Sequence, residues 1–360
     1  MQCDALVVGG GPAGSTCARL LSRAGWNVVV VDRAAFPRDK VCAGWLTPAV
    51  FPLLELTPDE YRATGLTIQE ITGFRTGALG GRTVRTQYSK VVSYAIRRCE
   101  FDDFLLRRAN VRTIECTDVT SLRRGGSGWI VNDTIDARIV IGAGGHFCPV
   151  ARHLRGGGPD ATAPVVAQEA EFPLDGRQSD VEPDVPALFF CRDLEGYGWC
   201  VRKGNHVNVG IGRRSKIDFN GHVRTFAAFL ERSGVLADAS SLRWKGHAYL
   251  AEGAGTRTVV DDGVMLIGDA AGLAYPESGE GIKPAIESGR LAATMLIGAG
   301  GRVDRAALMP YANELARRYP PARHSPRRLR GAVNAVGRAL LGSSVFSRHV
   351  VLDRWFLRAR

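Results

Sequence analysis

A short apolar run, Ala5–Val8, leads directly into Gly9-Gly10-Gly11-Pro12-Ala13-Gly14, and this junction constrains the chain more than any other stretch. Gly9, Gly11 and Gly14 fall at the fixed positions of a G-x-G-x-x-G pattern. The first permits a tight turn, the second lets a pyrophosphate approach the backbone, and the third lets the following helix pack closely on the strand. Hydrophobic spacing predicts a strand at Ala5–Val8, a helix over Ser15–Ala24 and a second buried strand, Val28–Val31. The helix start presents free N–H groups and a partial positive charge to phosphates. Asp32 lies 18 residues past Gly14 at the end of the second strand, placed to accept hydrogen bonds from a ribose. A tight βα turn alone would also satisfy the glycines. The strand, helix and acid together point to a bound dinucleotide.

A second Gly-rich region decides which dinucleotide. Gly268-Asp269-Ala270-Ala271-Gly272 follows an apolar run at Gly263–Ile267, and Pro276…Gly279-Glu280-Gly281-Ile282 opens a small-residue helix read over Gly281–Leu296. An acid after a strand can hold a ribityl hydroxyl, the bland alternative for Asp269 being a loop cap. A second helix start can meet the electron-rich edge of an isoalloxazine. Two such starts more than 250 residues apart suit an extended FAD better than NAD.

Between these regions the texture changes. A helix is expected at 100–109, a meander over Val111–Val131 broken at Gly125-Gly126-Ser127-Gly128, and a strand at Ala137–Ile141 ending in Gly142-Ala143-Gly144-Gly145. Strands follow at 164–172, 186–192, 198–203 and 206–213, interrupted by an amphipathic helix at about 222–233. The expected fold is α/β: a discontinuous Rossmann-like domain (1–46, 92–154 and 251–300) carrying an inserted antiparallel-sheet substrate domain (47–91 and 155–250). From 301 the chain reads as a basic helical tail, divided at Pro320-Pro321…Pro326.

Charge is localised in that tail. The chain of 360 residues has a net charge of +11, yet residues 302–360 hold 13 Arg and only three acids, leaving the first 301 near neutrality. A patch of this kind favours anionic partners at the C-terminus, phospholipid head groups, diphosphates or nucleic acid, with nucleic acid the least expected, unless the arginines form a merely solvated helix end. No apolar run approaches the ~18–20 residues that cross a bilayer, and the immediate strand leaves no room for a signal or transit peptide. A cytoplasmic protein, peripheral to membrane at most, is expected. The eight cysteines form no C-x-x-C pair and read as reduced thiols. His146 and Cys148 lack partner spacing, so no metal is expected.

Taken together, Gly9–Gly14, Asp32, Arg98-Cys99-Glu100-Phe101-Asp102, the strand into Gly142–Gly145, and Gly268-Asp269…Gly279-Glu280-Gly281-Ile282 resemble the FAD-dependent superfamily of p-hydroxybenzoate hydroxylase fold. Within it the chain is most similar to the geranylgeranyl reductase family. Pro37-Arg38-Asp39-Lys40-Val41-Cys42-Ala43-Gly44 resembles that family's loop with a Lys and a Cys beside the flavin, and Glu280 in GEGI matches the reductases better than the GQG start of aromatic hydroxylases. Tyr197-Gly198-Trp199-Cys200-Val201-Arg202-Lys203 is similar to the family's substrate-side YxWxFPK segment, with Val201-Arg202 in place of Phe-Pro. Gly144-Gly145 also replaces the usual acid-Gly pair, and the chain is short for the family.

The resemblance implies reduction of C=C bonds in an isoprenoid or similar apolar substrate by hydride transfer from N5 of reduced FAD. NAD(P)H or another reductant would act as transient donor. It implies FAD contacts from Gly9, Gly11, Pro12, Ala13, Gly14, Asp32, Arg33, Lys40, Cys42, Arg98, Gly268, Asp269, Gly279, Glu280, Gly281 and Ile282. Cys42, Tyr197 and Trp199 are the candidate catalytic residues, Cys42 and Tyr197 as proton sources. Each has a plainer reading: Cys42 a buried inert thiol, Arg98 an ordinary helix-start arginine, Tyr197 and Trp199 core packing on one strand face, Lys283 a solvated cation. Competing functions are a flavin monooxygenase or halogenase using O2, an electron-transfer dehydrogenase to a quinone, and a flavin-binding protein without catalysis. The WxWxIP segment common in halogenases is absent.

Overall fold

The computed structural model describes residues 1–126, 128–156, 164–175, 179–251, 257–321 and 330–358, with residues 330–335 described in their backbone only. Ser127 of the expected turn and most of the proline-rich break lie outside the described residues.

Gln2–Val8 is the centre of a parallel sheet. It pairs with Ile135–Gly142 on one side and Val28–Val31 on the other, so that Val7 faces both Ile141 and Val30. Val264–Leu266 and Arg112–Ile114 extend the two edges in parallel. Strands buried on both faces need continuous apolar runs, and Val28–Val31 is four buried valines. The first helix, Pro12–Arg23, starts three residues earlier than expected because Pro12 fits the first helical position, where no N–H is needed. The long helix Ile282–Gly298 packs against it. The expected meander resolves into a parallel edge strand and a separate hairpin, Leu122–Gly125 with Gly128–Val131.

The second sheet has seven strands, ordered Lys245–Tyr249, Val165–Pro173, His206–Arg213, Gly196–Lys203, Ala187–Phe190, Gly73–Ala78 and Thr83–Gln87. It is antiparallel except where Ala187–Phe190 runs parallel to Gly73–Ala78. The amphipathic helix is Phe219–Arg232, covering one face with Val223, Phe226, Ala227 and Leu230. A third, three-stranded sheet joins Trp45–Leu46, Ser93–Ile96 and Ile68–Ile71. It hydrogen-bonds across the expected division at 46/47 and 91/92.

The region after 301 is no appendage. Leu308, Tyr311 and Leu315 of the helix Arg305–Arg318 are buried in the core of the parallel sheet, and the Tyr311 hydroxyl donates to the Leu266 carbonyl at 2.7 Å. Further on, Leu341, Val351, Leu352 and Phe356 are buried with Phe74, Leu188 and Trp199. The region thus packs through an apolar stripe, while Arg305, Arg317, Arg318, Arg338, Arg348 and Arg354 on its other faces are exposed to solvent. Among the described residues, no helix is long and apolar enough to cross a membrane.

Candidate active site

A cavity of about 680 Å³ lies between the Gly-rich turns and the seven-stranded sheet. Gly9 has φ +114°, and a Cβ there would stand 2.5 Å from the Ala143 carbonyl oxygen. At Gly14 a Cβ would come within 1.9 Å of the Gly9 carbonyl oxygen, so the helix can seat on the turn only without a side chain. Above Gly11 the space is open, the nearest atom to an added Cβ being the Arg38 guanidinium at 3.4 Å. Asp32 closes the turn: one carboxylate oxygen accepts from the Gly10 N–H at 2.8 Å and the other from the Ala34 N–H at 3.0 Å. Each oxygen keeps a lone pair for a ribose hydroxyl.

The expected cofactor residues converge on this cavity. Gly9, Gly11, Pro12, Ala13, Asp32, Arg33, Lys40, Cys42, Arg98, Asp269, Gly279, Glu280, Gly281 and Ile282 line it. Gly14 and Gly268 sit just behind, Gly14 against Gly9 and Gly268 against Ala13 and Ala285. A cavity of this volume falls in the upper part of the usual ~300–1,000 Å³ range for cofactor sites. The open backbone at Gly11, the acid at Asp32 and the second Gly-rich helix start fit an extended FAD.

Arg98 is buried and bidentate to Asp102, at 2.8 Å through both nitrogens, with Arg38 adding a contact at 3.3 Å. Paired in this way and lining the cavity beside Cys42, it is neither an ordinary surface arginine nor a free cation. Lys40 meets His247 at the Nε2 atom. Burial lowers Lys40 to about 8, and burial together with Lys40 and Arg98 lowers His247 to about 3. Glu280 has both carboxylate oxygens buried without a hydrogen-bond partner, and burial raises it to about 7 against the pull of Lys283 and Arg358. Lys283 itself lies 3.8 Å from Glu287.

A buried polar cluster holds Cys42. The Cys42 N–H donates to Glu169 at 2.7 Å, and Lys203 Nζ donates to Glu171 at 2.7 Å and to the Cys42 carbonyl at 3.3 Å. Asn208 reaches Glu171 at 3.3 Å and accepts the Trp199 indole N–H at 2.7 Å. Lys203 and Asn208 are completely buried. Burial pushes Glu171 up, but Lys203 and Arg97 outweigh it and hold the carboxyl below its ordinary value; Glu169, with less help, stays raised. The Cys42 thiol accepts the Gly44 N–H at 3.3 Å.

The other end of the cavity is aromatic. Trp45 stacks on Phe356 with centroids 5.4 Å apart, Tyr197 meets Phe356 edge-on at 5.3 Å, and Trp199 lies 6.1 Å from Tyr197. All four line the cavity. Burial lifts the Tyr197 hydroxyl well above the usual phenol range, and it donates to the Ser278 carbonyl. Trp199 commits its only donor to Asn208, leaving it an apolar wall. Sequence reasoning missed Glu169, Glu171, Asn208, His247, Tyr249 and Phe356, and placed Lys203 in the substrate-side segment without giving it a role. Alternation along Gly196–Lys203 puts Lys203 on the face of Tyr197 and Trp199, a legible signal. Nothing local marks Phe356.

The parallel sheet, its Gly-rich turns and the cavity they share define an FAD-dependent oxidoreductase. Residues 2–156 match the FAD binding domain family. The chain is 32% identical to the menaquinone reductase of Mycobacterium tuberculosis strain H37Rv, over 82% of this chain and 76% of that protein. It is 29% identical to the geranylgeranyl diphosphate reductase of Rhodobacter capsulatus, over 81% and 74% respectively. A geranylgeranyl bacteriochlorophyll reductase-like protein from Thermoplasma acidophilum shares the fold, with a TM-score of 0.74, 21% identity and coverage of 95% of this chain and 88% of that one. The chain belongs to the geranylgeranyl reductase family of FAD-dependent oxidoreductases.

Proposed function

We propose that this oxidoreductase reduces carbon–carbon double bonds of a polyprenyl chain. The observation that carries the reading is the aromatic end of the cavity, where Trp45, Tyr197, Trp199 and Phe356 offer an apolar slot beside the Cys42 loop. The names of the relatives agree in substrate type: menaquinone and geranylgeranyl diphosphate both bear polyprenyl chains.

Gly9–Gly14, Asp32, Asp269 and the turn Gly279–Ile282 would hold FAD, which supplies a hydride from its reduced ring to one alkene carbon. The second carbon needs a proton. An isolated alkene has no carbonyl to polarise, so positioning and exclusion of water carry the step. The Trp45–Phe356 stack closes the slot and orients the chain. Glu169 accepts from the Cys42 N–H and Lys203 donates to its carbonyl, fixing the backbone so that the thiol, in the same cavity, is placed to deliver a proton from Sγ. Tyr197, its hydroxyl turned to Ser278, serves first as a wall and second as a proton source. Two electrons come from NAD(P)H or another reductant visiting transiently.

The test is anaerobic. FAD-loaded protein is reduced with dithionite, excess reductant is removed, and prenyl diphosphates and prenylated quinones are added. Reoxidation of the flavin together with a product heavier by two hydrogens is expected. A flavin that stays reduced until O2 arrives would overturn the reading in favour of a monooxygenase. Reduction of a quinone ring with its chain unchanged would favour the electron-transfer dehydrogenase.

A further inference from the structure

A second, mainly apolar chamber of about 260 Å³ lies beyond the aromatic end, and Tyr197, Gly212, Tyr249 and Gly279 line both spaces. Its far wall is built by the C-terminal helices, from Gly337, Leu341, Phe346 and Trp355. At 100° per residue, the helix Arg330–Leu341 turns Gly337 and Leu341 toward the chamber while Val336 and Leu340 occupy one outward flank and Arg338 the other.

Among the described residues eight large apolar side chains are exposed, and three of them, Val336, Leu340 and Val345, fall within this one stretch. A fourth, Ile217, is 83% exposed three residues after Arg214, which also lines the chamber. Each of the four lies within three residues in sequence of a position that lines the chamber. Single exposed apolar residues are ordinary, but this concentration is not matched elsewhere on the described surface. The cations have the same distribution: Arg214, Lys216, Arg338, Arg348 and Arg354 are all exposed around these positions. The acids lining the chamber are Glu195 and Glu277, and Glu277 is paired with Arg358 at 2.9 Å; nearby, Asp193 is paired with Arg213 at 2.6 Å, Asp353 accepts from the Tyr88 hydroxyl at 2.7 Å, and exposed Asp218 beside Ile217 accepts from the Gly221 N–H at 3.2 Å. Apolar side chains among basic ones on a helical surface match the interface of an anionic bilayer, where the former enter the acyl boundary and the latter meet phosphates.

We infer that the face carrying Ile217, Val336, Leu340 and Val345 docks on an anionic phospholipid bilayer, so that the second chamber opens toward the membrane. An apolar substrate then passes from lipid to the chamber and past Tyr197 without crossing water. The docking rests on the surface just described; only the identity of what enters rests on the proposed polyprenyl reduction.

The experiment is co-sedimentation of the FAD-loaded protein with phosphatidylglycerol vesicles and with phosphatidylcholine vesicles. Binding to the first and not the second is expected. The combined variant Ile217→Asp, Val336→Asp, Leu340→Asp and Val345→Asp should lose at least about tenfold in affinity while keeping its flavin, since these side chains leave water only on docking. Replacing Lys216, Arg338, Arg348 and Arg354 by Gln should cost about fivefold per charge, the ratio given by ~1 kcal/mol per basic residue at an anionic surface. No binding by the wild-type protein, equal binding to both lipids, or full binding by the aspartate variant would overturn the inference. A dimer in solution dissolved by the same aspartates would overturn it too, assigning the face to a second copy. Turnover enters none of these readouts, so failure of the proposed reaction remains a separate result.

Discussion

Replacing Lys203 by Met puts the buried cluster beneath Cys42 to a direct test. The wild-type ammonium is completely buried, 2.7 Å from Glu171 and 3.3 Å from the Cys42 carbonyl. Methionine fills similar space but leaves Glu169 and Glu171 without their shared cation. Breaking one side of a buried ion pair costs ~3–5 kcal/mol, and the hydrogen bond to Cys42 adds ~1 kcal/mol. Against this, Arg97 still reaches Glu171 at 3.0 Å, so a net loss of about 3 kcal/mol is expected. The loss should depend on pH with a definite sign. Without Lys203 the folded-state values of both carboxyls rise above their unfolded values. Stability is then present below the ordinary carboxylate range and falls as pH rises through the raised values. Urea unfolding of the apoprotein at acid and alkaline pH reads this directly, with the deficit larger at alkaline pH. Lys203→Met with Glu171→Gln should recover part of it, because one stranded charge is gone. A deficit below ~1 kcal/mol, or one equal at both pH values, would refute the account of this cluster.

Further outcomes follow from the same geometry. Gly14→Ala drives a Cβ to 1.9 Å from the Gly9 carbonyl oxygen, so the purified variant should carry no flavin absorbance. Glu280, raised by burial to about 7 from an ordinary 4.5, contributes stability below the lower value that is lost as pH rises through the higher one. Glu280→Gln should therefore flatten that slope and leave the apoprotein up to about 3 kcal/mol more stable at alkaline pH, as measured by denaturant titration. Phe356→Ala removes one wall of the aromatic slot. It should cost ~3–5 kcal/mol of stability and raise KM for a prenyl substrate more than it lowers kcat, whereas an effect confined to stability would make Phe356 core alone.

What could be read along the chain and what could not differ in the reach of the forces involved. Gly9–Gly14, Asp32 and Gly268–Ile282 are contiguous motifs whose backbone requirements act within a few residues: a positive φ at Gly9, no room for a side chain at Gly14, an acid at a strand end. Such local steric demands leave a pattern in the amino-acid order, and FAD binding, the parallel sheet and the family resemblance were all legible from it. The Cys42 anchor is different. It needs Glu169, Glu171, Lys203 and Asn208, drawn from three strands of the seven-stranded sheet, and their pairing depends on registers such as Glu171 opposite Asn208. The aromatic slot likewise depends on Phe356 arriving from the far end of the chain to stack on Trp45. Burial by remote elements also moves Lys40, His247 and Glu280 away from their ordinary protonation. The dinucleotide-binding motifs could be read from the order of residues because their requirements lie in the backbone of short segments. The surroundings of the reacting end were decided only by tertiary structure, because desolvation and side-chain contact are properties of the packed whole.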